Sequence, residues 1–551
     1  MLPDLWIAIN VGTSSVVAWV SLFASYLRLD DSSGLQMMNK LKQRLGLVLP
    51  ALVAGGGSVM AQCRDYTTFS QTPQGNASTG PLSLPFMRPP VECRTFNSSA
   101  VEKVVEDMKA RLKDPDLARL FENTFPNTLD TTVKYFDASQ NLAFIITGVP
   151  QWLRDTANQF AVYQSIIGQD PALATLMKAV INNEARYISQ YPYCGAFQPP
   201  PESGLSPSHN DWADGVTVNP PVDNGTVFEC KELDSLCGFL KLSRSYYQAT
   251  NDSSILNENW STAIAQIFRV IDEQSQATFD ADFNFISYYN WTGGNGALSP
   301  AVNNEGNGEP KGQNGLVGTH HRPSDDLSTF GRLFPTLCGM VVFDTCNAML
   351  SVELGHLADM VDSAGTFGNV STLAREYSAH ITQAIWDNTV VDNIFAYETN
   401  GLGSRYVMDD ANVPSLLSLP YLGFLNKTDA TYLATRKVLL SRQNPYFAAG
   451  KNFSGVGGPH VDVFHPWPMS QISAIFGTDD DDEIVNRLYL IANNTNGLGL
   501  IHESQSIYDT SDYTRPWFAW ANSYFAEMML DLAQRKPELI FTSGEGYTPG
   551  M

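Results

Sequence analysis

The stretch LFPTLCGMVVFDTCNAML, residues 333–350, is apolar on nearly every side when it is drawn as a helix, and Asp344 is its only charged residue. A helix that is hydrophobic all round has to be covered by neighbours, because none of its faces is suited to water. The stretch therefore predicts an inner helix that other helices surround.

Segments that suit an outer layer lie before and after this stretch. The segment VEKVVEDMKARL, residues 101–112, has five apolar side chains on one face of a helix with 3.6-residue spacing. They are Val101, Val104, Val105, Met108 and Leu112. Further helical runs are predicted over 171–190, 232–249, 258–277, 330–361, 371–387, 429–442, 467–476, 482–493 and 517–535.

The segments between the helical runs are long and rich in polar and aromatic residues, notably 194–229, 284–328, 388–425 and 443–466. Short β-prone pieces such as NLAFIITG (141–148) suggest hairpins within them. About a dozen helices with such connections predict an all-α fold, a toroid of helix pairs known as the (α/α)6 barrel, with short β-hairpins in its loops. The loops at one end of such a barrel would form a funnel.

The charge of the chain excludes one class of partner. Among 551 residues, 57 are acidic and 34 are Lys or Arg, which gives a net charge of −23. A protein that binds nucleic acid needs a basic surface, and this balance leaves none. The 43% hydrophobic content is ample for a large core.

The N-terminal region predicts export. From Met37 the sequence has a basic segment (40–44), an apolar run (45–54) and a small-residue cleavage site before Gln62, as a secretory signal peptide does. Residues 5–27 carry no charge and are long enough to span a bilayer. Residues 1–36 are therefore either a start-site artefact or a membrane anchor, and a membrane partner is expected only in the second case.

The predicted organisation has five parts. They are an N-terminal extension (1–36), a signal peptide (37–61), an irregular arm (62–98), a helical domain (99–540) and a C-terminal tail (541–551).

Two further features fit an exported, extracellular protein. Ten N-x-[S/T] sequons occur, at Asn76, Asn97, Asn224, Asn251, Asn259, Asn290, Asn369, Asn426, Asn452 and Asn493. None of the seven cysteines forms a CxxC pair, which argues against a zinc ribbon or a thioredoxin-like site. Cys63–Cys93 and Cys194–Cys230 are candidate disulfides because they flank loop-rich segments, and the other three cysteines leave at least one free thiol.

Six motifs next to the helical runs carry most of the candidate chemistry. They are GVPQWLRDT (148–156), THHRPSDDL (319–327), MDDANVPSLL (408–417), GPHVDVFHPWP (458–468), LIHESQS (500–506) and RPWFAWANSYF (515–525). Aromatic side chains beside Asp, Arg and His are typical of a sugar site, since aromatic faces stack on pyranose rings and charged groups bind the hydroxyls. The candidate sugar contacts are Trp152, Arg154, Asp155, Arg322, Asp325, Asp409, Asp410, Asn412, His460 and Trp517.

Other chemistries have less support from the residues. His320 and His321 are adjacent, and without an HExxH motif such a pair does not suit a catalytic metal. A Ca²⁺ site is a rival, formed by Asp325, Asp326, Asp409 and Asp410. The chain has no G-x-S-x-G elbow, and its cysteines lie in apolar helices or candidate disulfides, which argues against Ser or Cys nucleophiles. No metal or cofactor is therefore expected.

Structural roles also remain open for the candidate residues. Asp326 can cap a helix that begins near Ser328, and Glu503 can cap a turn. The remaining alternatives are an internal ion pair for Arg154 and Asp155, a turn for Asp409, Asp410 and Asn412, a structural role for His460, and core packing for Trp517 or Trp520.

Five motifs in order resemble those of the exo-α-1,6-mannosidases of glycoside hydrolase family 125. They are TGVPQWLRDT, RPSDD, MDDANVPSLL, NPYF (444–447) and IHES, and the similarity runs from about residue 100 to 535. The resemblance implies an (α/α)6 barrel and a metal-independent, inverting mechanism. It places the general acid on Asp326, with Asp325 as the less favoured choice, and the general base on Glu503. The loops 194–229 and 284–318 depart from the family pattern and leave the outer subsites open.

The predicted function is that of a secreted exo-α-1,6-mannosidase. It would remove terminal mannose, with inversion, from a mannose-containing oligosaccharide, mannan or glycoprotein glycan. Hydrolysis of a glycosidic bond needs two carboxyl groups on opposite sides of that bond, which Asp326 and Glu503 would supply. Two alternatives are a different (α/α)6 glycosidase that uses Ca²⁺ to trim glycans, and a mannose-binding protein without catalytic activity.

Overall fold

The computed structural model describes residues 63–230, 233–292, 310–325, 342–458 and 460–550. Several sequence-based predictions fall outside these ranges. They are the N-terminal extension, the signal peptide, the apolar segment 5–27, the first part of the helical run 330–361, and the candidate acid Asp326. Helices dominate the described part of the chain, as predicted.

Twelve helices in the described ranges have nine or more residues. They are α1 Ser99–Arg111, α2 Pro115–Thr124, α3 Leu153–Ala161, α4 Pro171–Gln190, α5 Asp234–Thr250, α6 Glu258–Gln274, α7 Asp344–Ser363, α8 Gly368–Thr389, α9 Ala430–Leu439, α10 Pro468–Phe476, α11 Asp481–Ala492 and α12 Ala519–Arg535. Shorter helices span Tyr66–Phe69, Asn127–Thr131, Gln164–Ile167, Leu419–Leu422 and Pro537–Ile540, and 3-10 turns span Val91–Cys93, Pro201–Ser203, Asp211–Ala213 and Ser253–Ile255.

The ends of the helices follow from local side chains. At the start of α4, the Asp170 carboxylate accepts hydrogen bonds from the backbone N–H groups of Ala172 and Leu173, at 3.0 and 3.1 Å. Pro171 is the first residue of this helix, where its missing N–H has no cost. Such caps satisfy amides that the helix itself cannot, which is why α4 begins at the predicted residue, Pro171.

The apolar pattern did not predict α2 or α3. In α3 the buried side chains include Arg154, Asp155, Asn158 and Gln159, so the apolar period that usually identifies a helix is interrupted. These polar groups are buried because they have partners within the protein; the Asn158 amide, for example, donates to the backbone carbonyl of Arg154 at 3.1 Å. So many buried polar side chains on one short helix indicate a functional site.

Six helical segments pack one against the next and return to the first. Going round, α3 contacts α5, α5 contacts α7, α7 contacts Leu419–Leu422, that short helix contacts α10, α10 contacts α12, and α12 contacts α3. Other helices cover this ring: α4 packs on α5 and α6, α8 on α7, and α11 on α10. The inner positions are thoroughly buried, as shown by Phe239, Leu350 and Phe525, each 0% exposed.

Short antiparallel strands lie between the helices, which confirms the predicted hairpins. Their pairs are β1 Val133–Asp137 with β2 Leu142–Ile145, β3 Gln151–Trp152 with β4 Ala196–Phe197, β4 with β6 Val227–Glu229, β5 Thr217–Asn219 with β7 Asn290–Thr292, β8 Val342–Phe343 with β11 Glu398–Thr399, β9 Val390–Val391 with β10 Ile394–Phe395, β11 with β12 Arg405–Tyr406, β13 Phe447–Ala449 with β14 Ser454–Val456, and β15 Ser504–Gln505 with β16 Tyr513–Thr514.

The inner stretch 333–350 differs in part from its prediction. Val342–Phe343 is strand β8, and helix α7 begins only at Asp344. The predicted helix is therefore wrong at these two residues, because strand β11 offers their backbone groups antiparallel partners. From Asp344 onward the buried inner helix is confirmed, with Cys346, Leu350 and Leu354 completely buried.

Two disulfides join the predicted pairs, Cys63–Cys93 and Cys194–Cys230. Within the described residues, Cys237 and Cys346 are buried free thiols. Disulfides persist in oxidising compartments, so their presence agrees with passage through the secretory pathway.

The ten sequon asparagines all lie at the surface of the described chain. Eight of them are exposed, and Asn290 and Asn452 are partly exposed. Each is therefore open to glycosylation, as the sequence predicts. Among the described helices, none is both long and apolar enough to cross a membrane.

Candidate active site

The predicted site residues gather where the inner helices begin. Arg154, in the first turn of α3, contacts Asp234, the first residue of α5, with 2.9 Å between Nη1 and Oδ2. The Arg154 guanidinium also lies 5.3 Å from the ring of Trp520 near the start of α12. Trp467, directly before α10, contacts Phe518, directly before α12, with ring centroids 6.2 Å apart. These contacts place the N-terminal ends of four inner helices at one end of the ring.

Arg154 is the centre of this group of residues. It is 3% exposed, and its guanidinium lies within 3.0 Å of Asp155, 2.9 Å of Asp234 and 3.4 Å of Asp325. The rings of Trp152 and Trp520 each lie 5.3 Å from it. Charge-assisted contacts with three carboxylates, together with two nearby aromatic rings, fix the orientation of the guanidinium.

Asp234 was missed from the sequence, although a signal for it existed. It is a buried, charged residue at the start of a long and mostly apolar helix. A carboxylate at the start of a helix is ordinarily explained by its favourable interaction with the helix dipole. For that reason the sequence offered no separate indication that Asp234 belongs to the site.

The carboxylates around Arg154 are not equivalent. Burial raises the pKa of Asp155 to about 7, although Arg154 opposes the rise. The Asp325 side chain is 19% exposed and therefore the most accessible of the three. Asp325 also has a φ of 68°, a left-handed conformation that non-glycine residues seldom adopt. Such backbone strain often occurs at functional sites, because the surrounding structure has to hold it in place.

The turn that presents Asp325 is held from two sides. Arg322 is 1% exposed, donates to Glu398 of β11 at 2.7 Å, and lies 5.4 Å from the ring of Tyr446 in the NPYF motif. Ser324 donates to the carboxylate of Asp410 at 2.7 Å. The RPSD segment is thereby held through two of its side chains, by Glu398 of β11 and by Asp410.

The 408–417 motif is mainly a support for that turn. Its Asp409 accepts hydrogen bonds from the backbone N–H groups of Leu416 and Leu417 at 2.7 and 3.1 Å, and burial raises the pKa of Asp409 to about 8. The Asn412 side-chain amide donates to the carbonyl of Pro323 at 2.8 Å, and its backbone N–H donates to the Asp410 carboxylate, also at 2.8 Å. These carboxylates already accept hydrogen bonds from protein donors, which favours the turn interpretation over a Ca²⁺ site.

Glu503 is connected to the same end of the helical ring through Arg515. It is 5% exposed, and its Oε2 lies 3.3 Å from Nε of Arg515, which sits 5.7 Å from the Phe518 ring. A Cβ added to Gly148 would come within 3.2 Å of Nη1 of Arg515, so the loop that leads to Arg154 lies against this guanidinium. Arg515 thus links Glu503 to the loop that leads into helix α3, which carries Arg154.

His502, the residue before Glu503, is fixed by contacts with the segment 513–516. Its ring stacks on Tyr513 with centroids 3.9 Å apart, and Nδ1 lies within 3.2 Å of the carbonyls of Arg515 and Pro516. Burial lowers the pKa of His502 to about 4, against the effect of these carbonyls. The imidazole is therefore neutral at neutral pH and serves to position its neighbour.

The two histidines of THHRPSDDL are buried, and each packs edge-on against one aromatic ring. His320 meets Tyr289 edge-on at 5.3 Å, and His321 meets Trp291 at 4.9 Å. Within the described chain, the group of three side chains close enough to share a metal ion is His209, Asp211 and Asp214, and all three are exposed. Neither His320 nor His321 belongs to it.

Two other predicted sugar contacts have partners other than Arg154. The Trp517 indole donates to Asn127 at 2.7 Å and packs edge-on against Tyr66, in a second apolar cluster. These are the contacts of a core residue, and Trp520 is the member of the pair that reaches Arg154. His460 is exposed and lies 5.8 Å from the ring of Trp467.

The position of His502 gives a test of this local structure. Between pH 6.5 and 4 the unfolded chain gains a proton on this residue while the folded protein does not, so stability falls as the pH falls. At pH 5 the expected loss is about 2 kcal/mol relative to pH 7. The replacement His502→Gln should remove this part of the pH dependence in denaturant unfolding, whereas His209→Gln, at an exposed position, should retain it. Equal losses in wild type and His502→Gln would contradict the assignment.

The sequence and the fold of the chain are similar to those of known proteins. The profile described as metal-independent alpha-mannosidase (GH125) matches residues 114–530. The "Meiotically up-regulated gene 157 protein" of Schizosaccharomyces pombe is 44% identical over 492 residues, covering 87% of this chain and 94% of the yeast protein.

A solved structure of a Streptococcus pneumoniae metal-independent α-mannosidase, in a non-productive complex with α-1,6-mannobiose, superimposes with a TM-score of 0.70 at 26% identity. The match covers 79% of this chain and 99% of the bacterial one. The chain therefore belongs to glycoside hydrolase family 125, the metal-independent α-mannosidases.

Proposed function

We propose that the protein is an exo-acting α-1,6-mannosidase that removes terminal mannose with inversion of configuration. The observation that carries the proposal is the buried Arg154, which contacts three carboxylates and lies 5.3 Å from each of two indole rings. A fixed guanidinium beside an accessible carboxylate suits vicinal hydroxyls of one terminal sugar. The bacterial relative that binds α-1,6-mannobiose supports the choice of linkage.

The proposed fold is the (α/α)6 barrel. The six inner segments would form its inner ring, and the covering helices its outer layer. In this arrangement the inner helices run parallel, so the loops before them meet at one end. That arrangement accounts for the contacts between Arg154, Asp234 and Trp520.

The proposed mechanism is a single displacement. Glu503 takes a proton from a water molecule, and the oxygen of that water attacks the anomeric carbon. The bond from that carbon to the glycosidic oxygen breaks, and Asp326 gives its proton to the departing oxygen. The products are mannose and the shortened glycan, and a proton returns from Glu503 to Asp326 through solvent.

Asp326 is preferred over Asp325 as the acid because Asp325 is already engaged with Arg154, whose guanidinium lies 3.4 Å from it. Asp325 is better suited to accept hydrogen bonds from sugar hydroxyls. Arg322, Ser324, Asp410 and Asn412 would act by holding the turn that carries Asp325, the residue directly before Asp326 in the sequence.

We also propose that the protein enters the secretory pathway through a signal peptide that begins near Met37. Two disulfides and ten surface sequons support this route.

Linkage and metal dependence test the proposal directly. The purified chain should hydrolyse α-1,6-mannobiose faster than the α-1,2- and α-1,3-linked disaccharides, at a rate that a chelator does not change. Loss of activity with chelator would favour a Ca²⁺-dependent glycosidase. Binding of all three disaccharides without hydrolysis would favour a mannose-binding protein.

Removal of either catalytic carboxyl group should abolish most of the activity. Glu503→Gln and Asp326→Asn should each reduce kcat by about 100-fold or more and leave the circular dichroism spectrum unchanged. Glu106→Gln, at an exposed position on α1, is the matched control and should be fully active. If Asp325→Asn is inactive while Asp326→Asn resembles wild type, the acid is Asp325.

The stereochemistry of the product tests the mechanism. An inverting enzyme holds its two carboxyl groups roughly 6.5–9.5 Å apart, which leaves room for the attacking water. Proton NMR during the first minutes should therefore show β-mannose released from the α-linked substrate. The appearance of α-mannose first would exclude the single displacement.

Material secreted by expressing cells tests the proposed route. Its N-terminal sequence should begin near Gln62, and deglycosylation should increase its mobility on a gel because several sequons carry glycans. Recovery of residues 5–27 in the mature chain would support the anchored alternative instead.

A further inference from the structure

A cleft of about 1010 Å³ lies at the end of the helical ring opposite Arg154. Its wall includes Ala161 and Arg535, which are the last residues of α3 and α12. The candidate active site lies where the same two helices begin. At a rise of 1.5 Å per residue, Trp520 and Gln534 of α12 are about 21 Å apart, so the cleft is separate from that site.

The wall of the cleft is held by contacts within the protein. The C-terminal tail forms part of it: the Tyr547 N–H donates to the Ala533 carbonyl at 2.9 Å, and the Gln169 side chain donates to the Gly550 carbonyl at 3.1 Å. Small-molecule sites typically have volumes of roughly 300–1,000 Å³, so this cleft has room for an oligosaccharide rather than a single ion. A preformed wall also lowers the cost of binding.

The charges in the wall are balanced, which favours a neutral ligand. Its cationic residues are Lys427 and Arg535, and its acidic residues are Glu527 and Asp531. Both cations already contact Asp479, at 2.7 and 3.1 Å. An anion would therefore find no unpaired cation among the described residues of the wall, and a metal ion would be repelled by the same two cations.

The wall combines aromatic rings with hydrogen-bonding groups. Tyr421 and Phe476 pack against each other with ring centroids 4.9 Å apart. Oε2 of Glu527 accepts from the Tyr421 hydroxyl at 2.9 Å, and Oε1 accepts no hydrogen bond from the described part of the chain. Gln164 and Gln534 add side-chain amides. This combination suits a sugar, because its C–H face packs on aromatic rings and its hydroxyls need donors and acceptors.

An attachment point for a sugar lies in the same wall. All ten sequon asparagines belong to the described ranges, and among them only Asn426 lines the cleft. Its Oδ1 accepts hydrogen bonds from the backbone N–H and the hydroxyl of Thr428, at 2.9 and 2.8 Å. The side chain is exposed, and Nδ2 donates no hydrogen bond to the described residues. The nitrogen that a glycan would modify is therefore accessible.

We propose that Asn426 carries an N-linked glycan and that the cleft holds the sugars nearest to the attachment point. The inference rests on the proposed entry into the secretory pathway. In the transfer, Nδ2 forms a bond to the anomeric carbon of the first sugar and loses a proton to solvent. The bond from that carbon to a diphosphate-linked donor breaks, and the diphosphate leaves with the electron pair. An attached glycan has a high effective concentration at the cleft, so weak contacts are enough to hold it.

Protection of this glycan from an endoglycosidase tests the proposal. Secreted protein is treated in its native state and after denaturation, and cleavage at each sequon is followed by mass spectrometry of glycopeptides. In the native protein, the Asn426 glycan should be cleaved about tenfold more slowly than the glycans at the other sequons, which corresponds to a docked state favoured by about ten to one. After denaturation this difference should disappear.

A pair of matched variants tests the role of the cleft. Gln164→Leu/Gln534→Leu removes two amides from the wall and nearly preserves side-chain size, so the protection of the Asn426 glycan should fall about fivefold. The control Gln71→Leu/Gln383→Leu changes two exposed glutamines outside the wall and should leave the protection unchanged.

The contrary outcomes are distinguishable. An unmodified Asn426 in a chain that carries glycans at other sequons would overturn the inference and leave the secretory route in place. Equal cleavage rates at all sites in the native protein, or unchanged protection in Gln164→Leu/Gln534→Leu, would also overturn the inference alone. A chain without a glycan at any sequon would overturn the proposed route and the inference together.

Discussion

A buried guanidinium in contact with three carboxylates is the constraint on which the proposed catalytic end of this protein depends. Removing a charged group from water costs several kcal/mol, and only well-placed partners offset that cost. Arg154 obtains its partners from its own helix, from the start of α5 and from the RPSD turn. Three segments that are distant in sequence must therefore meet at one point before the charge is satisfied. A lysine could not replace this residue, because its point charge lacks the planar fork.

The residues around this group have two kinds of role. Arg154, Asp325 and Glu503 are the residues to which we assign sugar contact or catalysis, and Asp325 combines the most exposed side chain of the carboxylates around Arg154 with a strained backbone. Asp409, Asn412 and His502 instead hold backbone segments in place through hydrogen bonds or ring stacking. Strain at one residue persists only when its surroundings determine its position, which explains why so many buried polar groups support so short a turn.

Much of the fold could be predicted from the sequence. Helices such as α4 have clear caps and a regular apolar period, so their bounds were predicted to within a few residues. The failures have a common cause in tertiary contacts. Helix α3 is too polar to show the period, because its side chains are buried against one another. Val342–Phe343 forms a strand because a distant hairpin, β11–β12, offers it a partner.

The site was predicted less completely, for the same reason. The motifs identified Arg154, Asp155 and Asp325, but their shared partner Asp234 has no motif of its own and resembles an ordinary residue at a helix start. Trp517 and Trp520 could not be told apart by spacing alone. Only the packing of α12 shows that Trp520 faces Arg154 while Trp517 bonds to Asn127.

A structure of the Glu503→Gln variant with α-1,6-mannobiose would test the central claim most directly. We expect the hydroxyls of the terminal mannose within hydrogen-bond distance of Arg154 and Asp325, with the anomeric carbon facing residue 503. A disaccharide bound in that variant at any other place, with no contact to Arg154, would contradict the role given to the buried guanidinium.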